Sequence, residues 1–193
     1  MKACAFVRDG NISPFKPSTP TGKEPIVRIH PQPQIVIVGP RSLAVEDIAA
    51  LEAAFRSLNA SVHSFRMDES FRLGQLQPHL ARSSHLLVIL DREDEGQTTE
   101  VLLAADASSN ASVCLLCLHT CESLRRYHKR LDNGSVRLII VRSHQEHARV
   151  RTDWNKAKTL VADQCSLATS AKEIARTFVG KPKQEQLRTF AKG

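Results

Sequence analysis

Short apolar segments alternate with helical patterns along this chain, and that alternation restricts the folds it can adopt. The segment His85–Leu90 is a short apolar run of the kind buried on both faces of a parallel sheet. After the first apolar segment, Ile48, Leu51, Phe55 and Leu58 recur at helical spacing. The alternation predicts a mostly parallel sheet covered by helices on both faces. Five strands are expected, at 35–38, 61–65, 85–90, 112–118 and 136–141.

The segments between and after these strands predict the covering helices. Besides the helix around Leu51, helices are expected at 71–82, 96–108, 122–131, 145–162 and 171–178. Gly74 and Pro78 weaken the first of these. Right-handed crossovers favour the strand order 2-1-3-4-5. The predicted fold is therefore α/β, a flavodoxin-like three-layer sandwich with a five-stranded, mostly parallel sheet.

Proline distribution and charge divide the chain into three parts. Six of the nine prolines fall within residues 1–33, which predicts an N-terminal arm that cannot form long regular elements. The α/β domain is expected over 34–180, and residues 181–193 form a basic, polar tail.

Composition narrows the class of protein. No run approaches the roughly 20 apolar residues that cross a bilayer, and the N-terminus lacks the apolar core of a signal peptide. These features predict a cytoplasmic protein with no membrane partner. Five cysteines, an odd number, favour reduced thiols over a disulfide framework.

A cluster of carboxylates follows the third predicted strand. Residues 91–100 carry five of them: Asp91, Glu93, Asp94, Glu95 and Glu100. The carboxyl end of a central strand is where ligands bind in open α/β folds. Acidic residues also favour helix N-termini through capping and the helix dipole, so a structural role is equally open.

A second candidate segment follows the first strand. Gly39, Pro40, Arg41 and Ser42 form a tight turn into a helix, whose free amides together with Arg41 are suited to a phosphate or a sugar hydroxyl. In the order 2-1-3-4-5 the first and third strands are neighbours. We therefore expect this turn and the acidic loop to face one crevice.

These motifs together resemble the nucleoside 2-deoxyribosyltransferase-like family over residues 34–119. The shared features are a strand ending in Gly39-Pro40, an apolar strand ending at Asp91, and a D-x-G-x-x-x-E loop from Asp94 through Gly96 to Glu100. The architecture also resembles TIR domains, some of which cleave NAD. The resemblance implies a nucleoside, nucleotide or NAD-like substrate, and an oligomer that shares residues across its interface.

The same resemblance implies roles for three carboxylates. Glu100 matches the family's nucleophile, which attacks the anomeric carbon of an N-glycoside. Asp94, and less directly Asp91, match the acid that handles sugar hydroxyls or the leaving base. Neither a metal nor a redox cofactor is required. The chain departs from the family after the glutamate, where Val101 is followed by Leu102 instead of glycine.

Other motifs are weaker. Cys114 and Cys117 have a zinc-like spacing, but they lie in a predicted buried strand on which they would point in opposite directions. His144 and His147 lack the order of a metalloprotease motif and a third ligand. No P-loop or G-x-G-x-x-G fingerprint occurs.

The net charge of +7 supports a different class of function. In this alternative the protein is a non-catalytic regulatory or interaction protein that binds a protein or nucleic acid through basic surfaces. The densest basic cluster comprises Arg125, Arg126, Lys129 and Arg130. An aromatic content of 5% leaves few side chains for stacking on bases, which disfavours single-strand binding.

Overall fold

The computed structural model describes residues 32–91, 94–108, 111–118, 124, 127, 135–154, 156–162 and 166–180. These residues include strands β1 (Gln34–Pro40), β2 (Ser61–Met67), β3 (His85–Leu90), β4 (Ser112–Cys117), β5 (Val136–Val141) and β6 (Lys158–Val161). The helices among them are α1 (Val45–Arg56), α2 (Leu73–Leu80), α3 (Glu95–Ser108), α4 (His144–Asp153) and α5 (Leu167–Val179). None of the described helices is long and apolar enough to cross a membrane.

The six described strands form one parallel sheet in the order β2-β1-β3-β4-β5-β6. The predicted α/β class and the order 2-1-3-4-5 are thus confirmed, with a sixth strand added beyond β5. The first five strands have the flavodoxin-like order. Because β1 and β3 are parallel neighbours at the topological switch point, their carboxyl ends lie side by side.

Both faces of the sheet are covered by helices. On one face Ile35 and Ile37 pack in a core that includes Phe55 of α1 and Phe178 of α5. Val36 and Val38 point to the other face, whose core includes residues of α2, α3 and α4. Successive strand residues therefore serve two separate cores, which explains why the central strands are apolar without alternation.

The prediction of one long helix over 145–162 is wrong. The helix α4 is capped by Ser143, whose Oγ accepts a hydrogen bond from the Glu146 N–H. It ends at Asp153, and Trp154 has φ −117° and ψ 57°, outside the helical region. The chain then forms β6, which pairs with the free edge of β5.

Several predicted segments lie outside the described residues. They are most of the arm over 1–33, the tail over 181–193 and most of the helix expected at 122–131. Within the last segment the structure describes Leu124 and Tyr127, which are both buried and helical. Their side chains pack in the same core as α3.

Candidate functional site

The candidate site lies where the carboxyl ends of β1, β2 and β3 meet. β1 is paired with β2 on one side and with β3 on the other. The chain leaves β1 through the turn at Arg41 and Ser42, and it leaves β3 through Asp91. All three strand ends open toward the same edge, as the topology of parallel sheets requires.

Two hydrogen bonds join the turn after β1 to the acidic loop after β3. The Oγ of Ser42 donates to Oδ2 of Asp91. The backbone N–H of Arg41 donates to Oδ2 of Asp94, with 3.2 Å between the heavy atoms. Asp91 is buried, whereas Asp94 is half-buried. The structure therefore brings Arg41, Ser42, Asp91 and Asp94 together.

The backbone and the side chain of Asp94 form hydrogen bonds with two different segments. Its backbone carbonyl accepts a hydrogen bond of 2.9 Å from the Thr98 N–H, which begins α3. Its side chain reaches instead to the turn after β1. Asp94 thus links the start of α3 to the end of β1.

Close packing explains the glycine at the end of β1. A Cβ atom at Gly39 would lie 3.0 Å from Cδ2 of Leu43, which is closer than most such contacts. The turn is closed by a 3.2 Å hydrogen bond from the Leu43 N–H to the Pro40 carbonyl. Gly39 and Pro40 therefore shape the turn, and the residues that face the crevice are those that follow them.

Two cavities open beside this turn and share three lining residues, Arg41, Asp68 and Glu69. The first has a volume of about 430 Å³ and is also lined by Arg66 and Ser70. The second, of about 300 Å³, is also lined by Met67, Asp94, Gly96 and Gln97. Together they are large enough for a small organic ligand. Because they share these residues, we refer to the two cavities together as the crevice.

Arginine side chains occupy one side of the crevice. Nη1 of Arg41 forms a 2.9 Å ion pair with Oε1 of Glu69. Nη2 of Arg66 donates to the backbone carbonyls of Arg41 and Leu43, at 2.8 and 2.6 Å. Arg66 therefore fixes the backbone of the turn, while Arg41 projects from it.

Asp68 is held as an acceptor. Its Oδ1 accepts hydrogen bonds from the Oγ and N–H of Ser70, at 2.5 and 2.8 Å. These bonds, the side-chain one first, lower the pKa of Asp68 below its ordinary value of 3.8. The carboxyl is consequently ionised at neutral pH.

Glu100 is outside the lining of both cavities. In α3 the buried side chains are Thr98, Val101, Leu102 and Ala105, which pack toward the sheet. Glu100 is exposed on the opposite side of the helix, together with Gly96 and Leu103. Gly96, one helical turn before Glu100 on the same side of α3, lines the second cavity, and the assignment of Glu100 as nucleophile stays a prediction.

The contribution of β2 was not predicted from the sequence. Arg66, Asp68 and Glu69 come from the end of this strand, which was predicted to stop at residue 65 and extends to Met67. The signal was available, because the order 2-1-3 places the end of β2 at the same edge as those of β1 and β3. In this strand order β2 is the edge strand beside β1, so the charged residues directly after β2 lie at the crevice.

The weaker motifs do not form a second site in the described residues. Cys114 and Cys117 lie in different cores, on opposite faces of the sheet as predicted. Burial raises the pKa of the Cys114 thiol well above its ordinary value of 9.0, which keeps it protonated. His147 bonds Thr159 with 2.9 Å between Nε2 and Oγ1. No group of three or more potential metal ligands occurs among the residues described.

The predicted basic surface lies outside the described residues. Arg125, Arg126, Lys129 and Arg130 all belong to the segment that the structure does not describe. Their part in binding a protein or nucleic acid stays a prediction.

Comparisons with known proteins give a structural similarity alone. The sequence matches no protein-family model, and no curated protein is similar to it. A solved structure of a diflavin flavoprotein A3 from Nostoc sp. is similar over 76% of this chain and 91% of its own, with 9% identity and a TM-score of 0.46. At that level the similarity supports no functional conclusion.

Proposed function

We propose that the protein binds a nucleoside or nucleotide in the crevice and processes its N-glycosidic bond with a carboxylate nucleophile. The observation that carries the proposal is the meeting of Asp94, Asp68 and the first turn of α3 in one cavity. Carboxylates accept hydrogen bonds from sugar hydroxyls, and amides at a helix N-terminus favour anionic groups. The location at a topological switch point is the usual one for such ligands.

The proposed reaction has two steps. A carboxylate oxygen attacks the anomeric carbon, the bond from that carbon to the base nitrogen breaks, and the base takes up a proton from water. Water then hydrolyses the glycosyl ester and restores the carboxylate. The nucleophile must therefore reach a sugar seated in the crevice.

Asp94 meets this requirement better than Glu100. Asp94 lines the cavity and receives a hydrogen bond from the turn after β1. Glu100 lines neither cavity, although it lies one turn after the cavity-lining Gly96 on the exposed side of α3. We therefore place the nucleophile at Asp94 and keep Glu100, which the family resemblance favours, as the competing assignment.

The test is a mass-spectrometric assay of the purified protein with nucleosides, nucleoside monophosphates and NAD. Asp94→Asn and Glu100→Gln each remove one charge at nearly constant side-chain volume. Release of a free base that is lost in Asp94→Asn and kept in Glu100→Gln supports our assignment. The reverse result favours the family assignment, and wild-type protein without turnover contradicts N-glycosidase activity.

The second candidate is a non-catalytic regulatory or interaction protein with the same scaffold. The observation in its favour is that the hydrogen bonds of Asp91 and Asp94 join the two loops, a structural use of both carboxylates. In that case Asp94→Asn and Glu100→Gln change no turnover. Substitution of Arg125, Arg126, Lys129 and Arg130 instead weakens a salt-dependent interaction with a protein or nucleic acid.

A further inference from the structure

We propose that Arg41 selects ligands that carry a phosphate group, and that Glu69 competes with that phosphate for Arg41. The inference rests on the proposed function, because it assigns a substrate class to the same crevice. It predicts a preference for nucleoside monophosphates over the parent nucleosides. Arg41 is the specificity-determining residue, and the strength of its ion pair with Glu69 sets how readily Arg41 becomes available to the phosphate.

The ion pair between Arg41 and Glu69 is easily exchanged. The side chains of Arg41 and Glu69 are 67% and 88% exposed. Ion pairs with this exposure are weak, because water competes for both partners and long side chains lose rotamer freedom on pairing. A phosphate offers the guanidinium more charge and more acceptor oxygens than one carboxylate. We therefore expect phosphate to displace Glu69 at little cost.

Arg66 supplies the fixed part of the phosphate subsite. Its two bonds to the backbone carbonyls of Arg41 and Leu43 hold the turn from which Arg41 projects. Its Nε is buried and has no hydrogen-bond partner among the described residues. Because this atom has almost no exposed surface, it offers a cavity ligand no direct contact, and the described role of Arg66 is to hold the turn. The cavity that Arg66 lines therefore has one movable and one fixed guanidinium.

The acids of this cavity set the balance of charge. Arg41 and Arg66 are matched there by Asp68 and Glu69. Asp68 is tied to Ser70 and fully ionised at neutral pH, so its charge opposes an anion whether or not a ligand is bound. Glu69, whose side chain is exposed, is the acid that can move away from Arg41 by a change of rotamer. Removal of its charge alone should therefore strengthen phosphate binding.

The experiment measures the affinity of the full chain for common nucleosides and for their 5′-monophosphates at constant ionic strength. We expect Arg41→Ala to reduce the affinity gained from the phosphate by roughly tenfold or more. Glu69→Gln should increase it about two- to fivefold, the range set by a weak exposed ion pair. Circular dichroism and urea unfolding verify that each variant is folded.

Controls of the same charge change come from a second ion pair, in which Arg56 is exposed and Glu52 is half-buried. Arg56 and Glu52 form a 2.8 Å pair on α1, outside the lining of both cavities. Arg56→Ala and Glu52→Gln change the net charge by the same amounts as the test variants. Both should leave the phosphate gain unchanged. If Arg41→Ala behaves like Arg56→Ala, or Glu69→Gln like Glu52→Gln, the inference is wrong.

Two results separate this inference from the proposed function. If nucleosides and monophosphates bind equally tightly, nucleoside binding stands and the phosphate preference is refuted. If neither class binds, nucleotide binding is refuted and inorganic phosphate becomes the probe. Phosphate binding that depends on Arg41 then upholds the role of Arg41, and its absence overturns that role as well.

Discussion

The side chain of Ser42 donates a hydrogen bond to Asp91, although 49 positions separate the two residues in the chain. Ser42 follows β1, and Asp91 follows β3. The bond joins the turn after β1 to the buried carboxyl group directly after β3. It therefore ties together the two loops that form one wall of the crevice.

Loss of this bond should destabilise the protein. We expect Ser42→Ala to lower the free energy of unfolding by about 1–3 kcal/mol, since it leaves a buried carboxyl with one donor fewer. Urea unfolding of Ser42→Ala, Asp91→Asn and the double variant measures the coupling between the two side chains. Strictly additive effects would contradict a direct interaction.

Two adjacent leucines test the orientation of α3. Leu102 is 3% exposed and Leu103 is 53% exposed. Leu102→Ala should lower the free energy of unfolding by about 2–5 kcal/mol, because it leaves a cavity in the core. Leu103→Ala should change it by less than about 0.5 kcal/mol.

The outcome of this comparison also bears on Glu100. If Leu103→Ala were the more destabilising variant, α3 would be rotated from the orientation described above. The positions of Gly96 and Glu100 relative to the crevice would then differ from those described. Equal effects of both substitutions would likewise argue against the described orientation.

Burial of His85 should make stability depend on pH. His85 packs against Phe178 with ring centroids 5.0 Å apart, and burial lowers its pKa below the ordinary value of 6.5. Just below that pH the unfolded chain binds more protons than the folded one. The free energy of unfolding therefore falls as the pH decreases through 6.5, and this contribution levels off below the folded pKa.

Replacement of His85 isolates this effect. Urea unfolding from about pH 7 to about pH 5 should give a shallower slope for His85→Leu than for the wild type. His144→Gln, at an exposed position of α4, should keep the wild-type slope. An unchanged slope in His85→Leu would show that another group is responsible.

Alanine substitutions at two helical glycines should distinguish an effect on stability from an effect on ligand binding. Gly96 and Gly74 are each the second residue of their helix, and a Cβ atom at either would have no heavy atom within 4 Å. Alanine at either position should stabilise the protein by up to about 1 kcal/mol. Gly96→Ala should also weaken nucleotide binding, because Gly96 lines a cavity and Gly74 does not.

Thermal unfolding and ligand titration of both variants measure the difference. Equal affinities in Gly96→Ala and Gly74→Ala would place the ligand away from α3. Weaker binding in Gly74→Ala alone would point to a site beside α2.

The strands of the central sheet could be predicted from sequence because their burial on both faces leaves long apolar runs. The sixth strand could not. Val150, Trp154, Ala157 and Val161 follow helical spacing, so the pattern continues through the real end of α4. What ends the helix is a tertiary effect, since the edge of β5 offers backbone hydrogen bonds to residues 158–161.

The crevice was predictable in part for a similar reason. Strand order alone indicates that the ends of β1 and β3 meet, and Arg41 and Asp94 are in contact there. The orientation of α3 was not predictable, because apolar residues follow one another from Val101 to Ala105 and mark no single inward side. A motif spacing such as that from Gly96 to Glu100 gives no information about helix rotation.

The lining residues of the crevice given above all lie between Arg41 and Gln97. During synthesis all of these lining residues are therefore made before β4. At that stage β3, whose residues from Leu86 to Leu90 are buried in the finished protein, still lacks its partner on one side. The half of the protein that lines the crevice thus depends on the later strands to protect it from aggregation.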